Sequence, residues 1–108
     1  MDTEAADFSV DVTVGPDVVI APTGDLDLAA ASTFVEAVTT AFTETLTSVV
    51  LDLSAVRFLD SSGLGALLTL HARCQTESVG LRTINAPKQA RRVLELTRLT
   101  ERFNLIDE

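Results

Sequence analysis

Tryptophan and tyrosine are absent from these 108 residues, and cysteine, histidine and methionine occur once each. A single cysteine, Cys74, permits no internal disulfide and fits a reducing compartment. It falls in a helical pattern and reads as a small buried or half-buried thiol. One histidine and one cysteine make no ligand cluster, so no metal and no bound cofactor are expected. Bases are scarce too. Eight Lys and Arg face sixteen Asp and Glu, for a formal charge of −8, which argues against a nucleic-acid partner. No apolar run approaches the roughly 18 residues of a membrane span. The acidic start Met1-Asp2-Thr3-Glu4 lacks the basic region of a signal peptide. A cytoplasmic chain with no membrane contact is expected, and a monomer when free.

What remains is 46% hydrophobic and 22% charged, the composition of one globular domain. Residues 1–7 read as an acidic tail and residues 8–108 as the domain. The charge is unevenly placed. Up to Asp60 there are eleven acids and one base, Arg57; from Ser61 onward there are five acids and seven bases.

Phe8, Val10, Val12 and Val14 alternate with polar residues, a period-2 strand with one dry face. Gly15-Pro16-Asp17 is a turn, and the apolar run Val18 to Ala21 pairs back as a hairpin. Pro22 cannot donate to a ladder, so the strand is expected to leave the sheet or run along a free edge there. Gly24 to Asp27 reads as a loop, with Asp27 as N-cap of a helix. On that helix Phe34, Val38, Phe42 and Leu46 recur every four residues over about four turns. Val49 to Leu53 is a third strand.

Next comes Asp60-Ser61-Ser62-Gly63, followed by Leu64, Leu67, Leu68 and His71 at helical spacing. A helix over about Ser62 to Thr76 is expected, and Asp60, Ser61 and Ser62 are all good cap types. His71 lies on the apolar stripe and reads as a core residue. Gly63 and Gly65 either permit tight packing or leave the backbone open to another molecule. Val79 to Ile84 is a fourth strand, closed by Asn85-Ala86-Pro87. A third helix runs from about Lys88 to Leu96 or Arg98, with Val93, Leu94 and Leu96-Thr97 inward and Lys88, Arg91 and Arg92 solvated. Phe103 to Ile106 reads as a short edge strand. The order β-β-α-β-α-β-α-(β) calls for an α/β fold, a four- to five-stranded mixed sheet with helices packed on it.

The start of the second helix holds the chemistry. The first four N–H groups of a helix lack partners, and its dipole puts about half a positive charge there. A hydroxyl at that point is open to a modifying enzyme, and a phosphate on it would meet free donors. Composition alone leaves Ser61, Ser62 and simple capping all open.

Asp52-Leu53-Ser54, Val56, Phe58-Leu59 and Asp60-Ser61-Ser62-Gly63-Leu64-Gly65 resemble the signature of the STAS family, and more narrowly of bacterial anti-sigma factor antagonists. Gly24-Asp25-Leu26-Asp27-Leu28 is similar to that family's second motif. The likeness runs from about Phe8 to about Ile106. It implies a STAS domain over residues 8–108 that regulates transcription. The unmodified form would bind an anti-sigma factor that is itself a serine/threonine kinase, releasing a sigma factor. Phosphorylation of Ser61 would end binding, and a phosphoprotein phosphatase would reset it. ATP and Mg would belong to the kinase. Asp25, Leu26, Asp27, Asp60, Ser62, Gly63 and Leu64 are the expected contact residues. The alternative is an adaptor subunit of a lipid-transport or other signalling assembly.

Catalysis by this chain is not expected. The G-x-S-x-G elbow is missing, and so is a G-x-x-x-x-G-K-[ST] phosphate loop. His71 lies nine residues beyond Ser62, about 13 Å along a helix.

Overall fold

The computed structural model describes residues 8–15 and 17–106. Eight elements follow in order: β1 (Ser9–Thr13), β2 (Asp17–Leu26), α1 (Leu28–Ala41), β3 (Ser48–Asp52), β4 (Val56–Leu59), α2 (Ser61–Glu77), β5 (Gly80–Ile84) and α3 (Lys88–Leu96). The acidic tail of residues 1–7 and Pro16 of the expected turn lie outside the described residues.

The expected hairpin is there. β1 pairs antiparallel with β2, and Val10 and Val12 turn half-inward while Ser9, Asp11 and Thr13 stay exposed. The other pairings are parallel. The sheet order is β1-β2-β3-β5, and β4 joins β2 off that path. The sheet is thus mixed and five-stranded, within the expected four to five, but its fifth strand is β4, which the expected order lacked.

β2, at ten residues, is more than twice as long as the predicted run Val18 to Ala21 and explains the topology. Its residues 17–20 pair with β3, and its residues 24–26 pair with β4. Pro22, expected where the strand leaves the sheet or runs along a free edge, marks the free edge: it sits in the gap between these two partners, where that edge asks no donor of it. Gly24, expected in a loop, lies in the strand. It carries φ 111°, at the register shift where β2 passes from one partner to the other. That positive φ favours glycine.

Two other boundaries and one helix face differ. α1 stops at Ala41, and Phe42 caps it in an extended conformation. The Thr39 and Thr40 hydroxyls donate to the Val35 and Glu36 carbonyls, a competition that weakens the last turn. Leu46 is buried all the same, from a turn and not from the helix. Leu96 is 70% exposed, because on α3 the inward pair is Ala90 and Leu94, four residues apart, and Leu96 falls on another face. The expected strand over Phe103 to Ile106 reduces to one bridge, Thr83 to Leu105. Phe103 is instead a fully buried core residue whose ring centroid lies 5.6 Å from that of His71. His71 is accordingly a core residue, as predicted.

The core is formed by Ile20, Leu26, Phe34, Leu51, Leu59, Leu67, Leu70 and Leu94 with their neighbours. Helices α1 and α2 pack on each other and on the sheet, and α3 lies against β4. Cys74 is buried, and burial pushes its thiol up to about 11. Among the described residues, no helix is long and apolar enough to cross a membrane.

One core feature is costly. Thr83 is fully buried; its backbone N–H donates to the Asn104 carbonyl and its carbonyl accepts from Ile106, but among the described residues its hydroxyl has no partner. A buried polar group without a bond destabilises by about 1–3 kcal/mol. Thr83→Val keeps the shape and removes that group. It should raise stability by about 1 kcal/mol, read as a higher urea midpoint at unchanged m-value.

Candidate functional site

Two parallel strands end side by side and build the site. Leu26 of β2 is the register partner of Leu59 of β4. Each is followed by an aspartate, and each aspartate caps the next helix. Asp27 Oδ1 accepts from the Ala30 N–H at 3.1 Å, starting α1; Asp60 Oδ1 accepts from the Gly63 N–H at 2.9 Å, starting α2. The paired strand ends therefore set two helix N-termini next to each other at one end of the sheet, and place two carboxylates there.

The cap of α2 is Asp60, which frees both serines from that duty. Ser61 is the first helical residue and is exposed; Ser62 is half-buried. Among the described residues neither hydroxyl has a hydrogen-bond partner. Asp60 also accepts the Leu64 N–H through its main-chain carbonyl at 2.8 Å. The Ser61 and Ser62 N–H groups are left as the open donors of this helix start.

The two glycines of this turn do different things. A Cβ on Gly63 would lie 1.9 Å from the Leu26 carbonyl oxygen and 2.9 Å from Leu59 Cδ1; a Cβ on Gly65 would meet nothing within 4 Å. Gly63 serves packing, and Gly65 is the one that leaves open space. Two expected contact residues thus point inward. Gly63 is buried under the end of β2, and Leu26 is wholly buried in the core. Asp25, Asp27, Asp60, Ser62 and Leu64 all retain some exposure.

Around them lie residues that sequence reading missed. Leu28, directly after Asp27, is 76% exposed, and Phe58, opposite Asp25, is 46% exposed. Arg57 reaches Asp25 at 3.5 Å with both side chains largely in solvent. Such a pair is worth about 0–1 kcal/mol and opens readily. A cleft of about 260 Å³ is lined by Phe8, Ala29, Ala30 and Thr33 together with Asp25, Asp27 and Arg57. One signal was available: Arg57 is the only base before Ser61, inside the long motif. Gln89 of α3 had none. It donates to the Leu59 carbonyl and accepts the Leu59 N–H, both at 2.8 Å, from thirty residues away. Among the described residues, no cluster of three or more His, Cys, Asp or Glu could hold a metal.

A family model described as the STAS domain matches residues 8–108. Among curated proteins, none matches this sequence. Among solved structures, an anti-sigma factor antagonist from Mycobacterium paratuberculosis superposes with a TM-score of 0.81 at 25% identity, over 94% of this chain and 86% of that one. The anti-sigma factor antagonist SpoIIAA in its unphosphorylated form gives 0.76 at 22% identity, over 94% and 87%. The Bacillus cell fate determinant SpoIIAA in its phosphorylated form gives 0.71 at 24% identity, over 94% and 90%. The last two likenesses establish the fold.

Proposed function

This chain belongs to the STAS domain family, and on that premise we propose that it is an anti-sigma factor antagonist switched by phosphorylation of Ser61. Unmodified, it binds an anti-sigma factor serine/threonine kinase and so releases a sigma factor in the cytoplasm. Phosphorylated, it lets the kinase go, and a phosphatase returns it to the binding state. The chain acts here as a binding module, and ATP and Mg belong to its partner.

The observation that supports this most is the exposed Ser61 at the first helical position of α2, beside two capping carboxylates. The unmodified surface offers Leu28, Phe58 and the half-buried Leu64 for apolar contact. A phosphate on Ser61 adds about −1.5 to −2 charge to a rim that already holds Asp27 and Asp60. Inside a fitted interface, like-charge repulsion and desolvation both oppose the complex. In the free protein the α2 dipole and its two open N–H groups tolerate the same phosphate. The fold is shared with a protein known in both unphosphorylated and phosphorylated forms.

Incubation with the anti-sigma kinase and Mg-ATP tests the reading. The expected product is a mass gain of about 80 Da, one phosphoryl group, confined to the peptide carrying Ser61 and abolished in Ser61→Ala. Phosphate elsewhere, or none, overturns it.

A further inference from the structure

We propose that Gln89, which lies outside both sequence motifs, is a positioning residue for the Ser61 modification site; the inference rests on the phosphorylation reading above and deepens it. Among the described residues, β4 pairs with β2 along one edge only. On its other side the Gln89 amide from α3 gives Leu59 both a donor and an acceptor, each bond at 2.8 Å. That is the pair of bonds a neighbouring strand would supply, and it covers an otherwise open edge.

The opposite edge is weaker at this point. After the Leu26–Leu59 register pair, the Asp60 N–H reaches the Leu26 carbonyl at 3.4 Å, beyond ordinary amide bond length. The backbone of the residue just before Asp60-Ser61 therefore takes its two short bonds from Gln89. The side chain of Leu59 is buried against the Gly63 turn, and Asp60 fixes the helix start. Gln89 ties this unit to α3 and sets the direction in which Ser61 leaves the sheet. A kinase must hold the attacking hydroxyl within about 3–3.5 Å of the phosphorus, and an error near 1 Å costs on the order of a hundredfold. Residue 89 acts through that placement.

The test compares wild type, Gln89→Ala, Gln89→Glu and Val50→Ala, the last a buried substitution on β3 chosen to lower stability without touching the clamp. Gln89→Glu keeps the acceptor for the Leu59 N–H and turns a second oxygen toward the Leu59 carbonyl. Phosphorylation of Ser61 by the anti-sigma kinase is followed at a temperature where all four are folded, and amide exchange at Leu59 to Ser62 is read in parallel. Both Gln89 variants should lose about tenfold in kcat with KM little changed, and their Leu59 and Asp60 amides should exchange faster. Val50→Ala should keep wild-type kcat. Wild-type kcat in Gln89→Glu, or an equal loss in Val50→Ala, overturns the assignment. A wild type that accepts no phosphate overturns the phosphorylation reading itself, and this inference with it.

Discussion

Gly63→Ala is expected to cost at least about 4 kcal/mol, the range reserved for a substitution the fold cannot absorb. The added Cβ would stand 1.9 Å from the Leu26 carbonyl oxygen and 2.8 Å from its carbon. Both are backbone atoms at the end of β2, where Leu26 is in register with Leu59 of β4. They cannot swing away as a side-chain tip can. Relief would require α2 to lift from β2, undoing the Asp60 cap and uncovering Leu59. Gly65→Ala, two residues on, should do the opposite. No atom lies within 4 Å of its Cβ, and alanine in a helix is favoured over glycine by up to about 1 kcal/mol. Thermal unfolding of the two variants checks this. The expected pattern is loss of the cooperative transition in one and a rise of a few degrees in the other. Similar melting of both would show that α2 is not seated on β2 as described.

Phosphorylation of Ser61 should weaken binding to the anti-sigma partner by about a hundredfold or more, since charge mismatches buried in interfaces cost roughly 2–5 kcal/mol. Ser61→Ala should bind as the unmodified protein does, because Asp60 and not the serine caps α2. Ser61→Asp should fall between them, having less charge and fewer acceptor oxygens than a phosphate. Titration calorimetry on the four forms gives the order directly. Their melting temperatures should stay close to one another. The added charge sits at a helix start in the free protein, where it is tolerated, so the switch acts on the complex and not on the fold. Equal affinity for phosphorylated and unmodified protein would remove the switch. A large drop in melting temperature on phosphorylation would move its mechanism into the fold.

The two predictions meet at one structural unit. Leu26-Asp27 and Leu59-Asp60 are equivalent steps, each a last strand residue followed by a cap. Gly63 lets the second step come to rest against the first, which places Ser61 at the rim shared by both helices. Leu28, Phe58 and the cleft beside Asp25 give that rim its apolar contact area.

The sequence by itself determined the first hairpin, the three helices with strands between them, the helical stripe through Leu64, Leu67, Leu68 and His71, the cap at Asp27, the three cap candidates Asp60 to Ser62, and the core placement of Cys74 and His71. These follow from side-chain periodicity and cap chemistry, which act over a few residues. Tertiary structure alone decided the rest. β4 is four residues long with two exposed in its middle, too short for either period to show, and it exists because the second half of β2 is free to pair with it. Pro22 is tolerated in β2 only because two partner strands leave a gap beside it. Gly63 and Gly65 look alike along the chain, and only the carbonyl of Leu26, thirty-seven positions earlier, separates them. Gln89 carries no local signal at all. Close backbone approach and strand pairing depend on where distant segments come to lie, and nothing in the neighbouring residues records that.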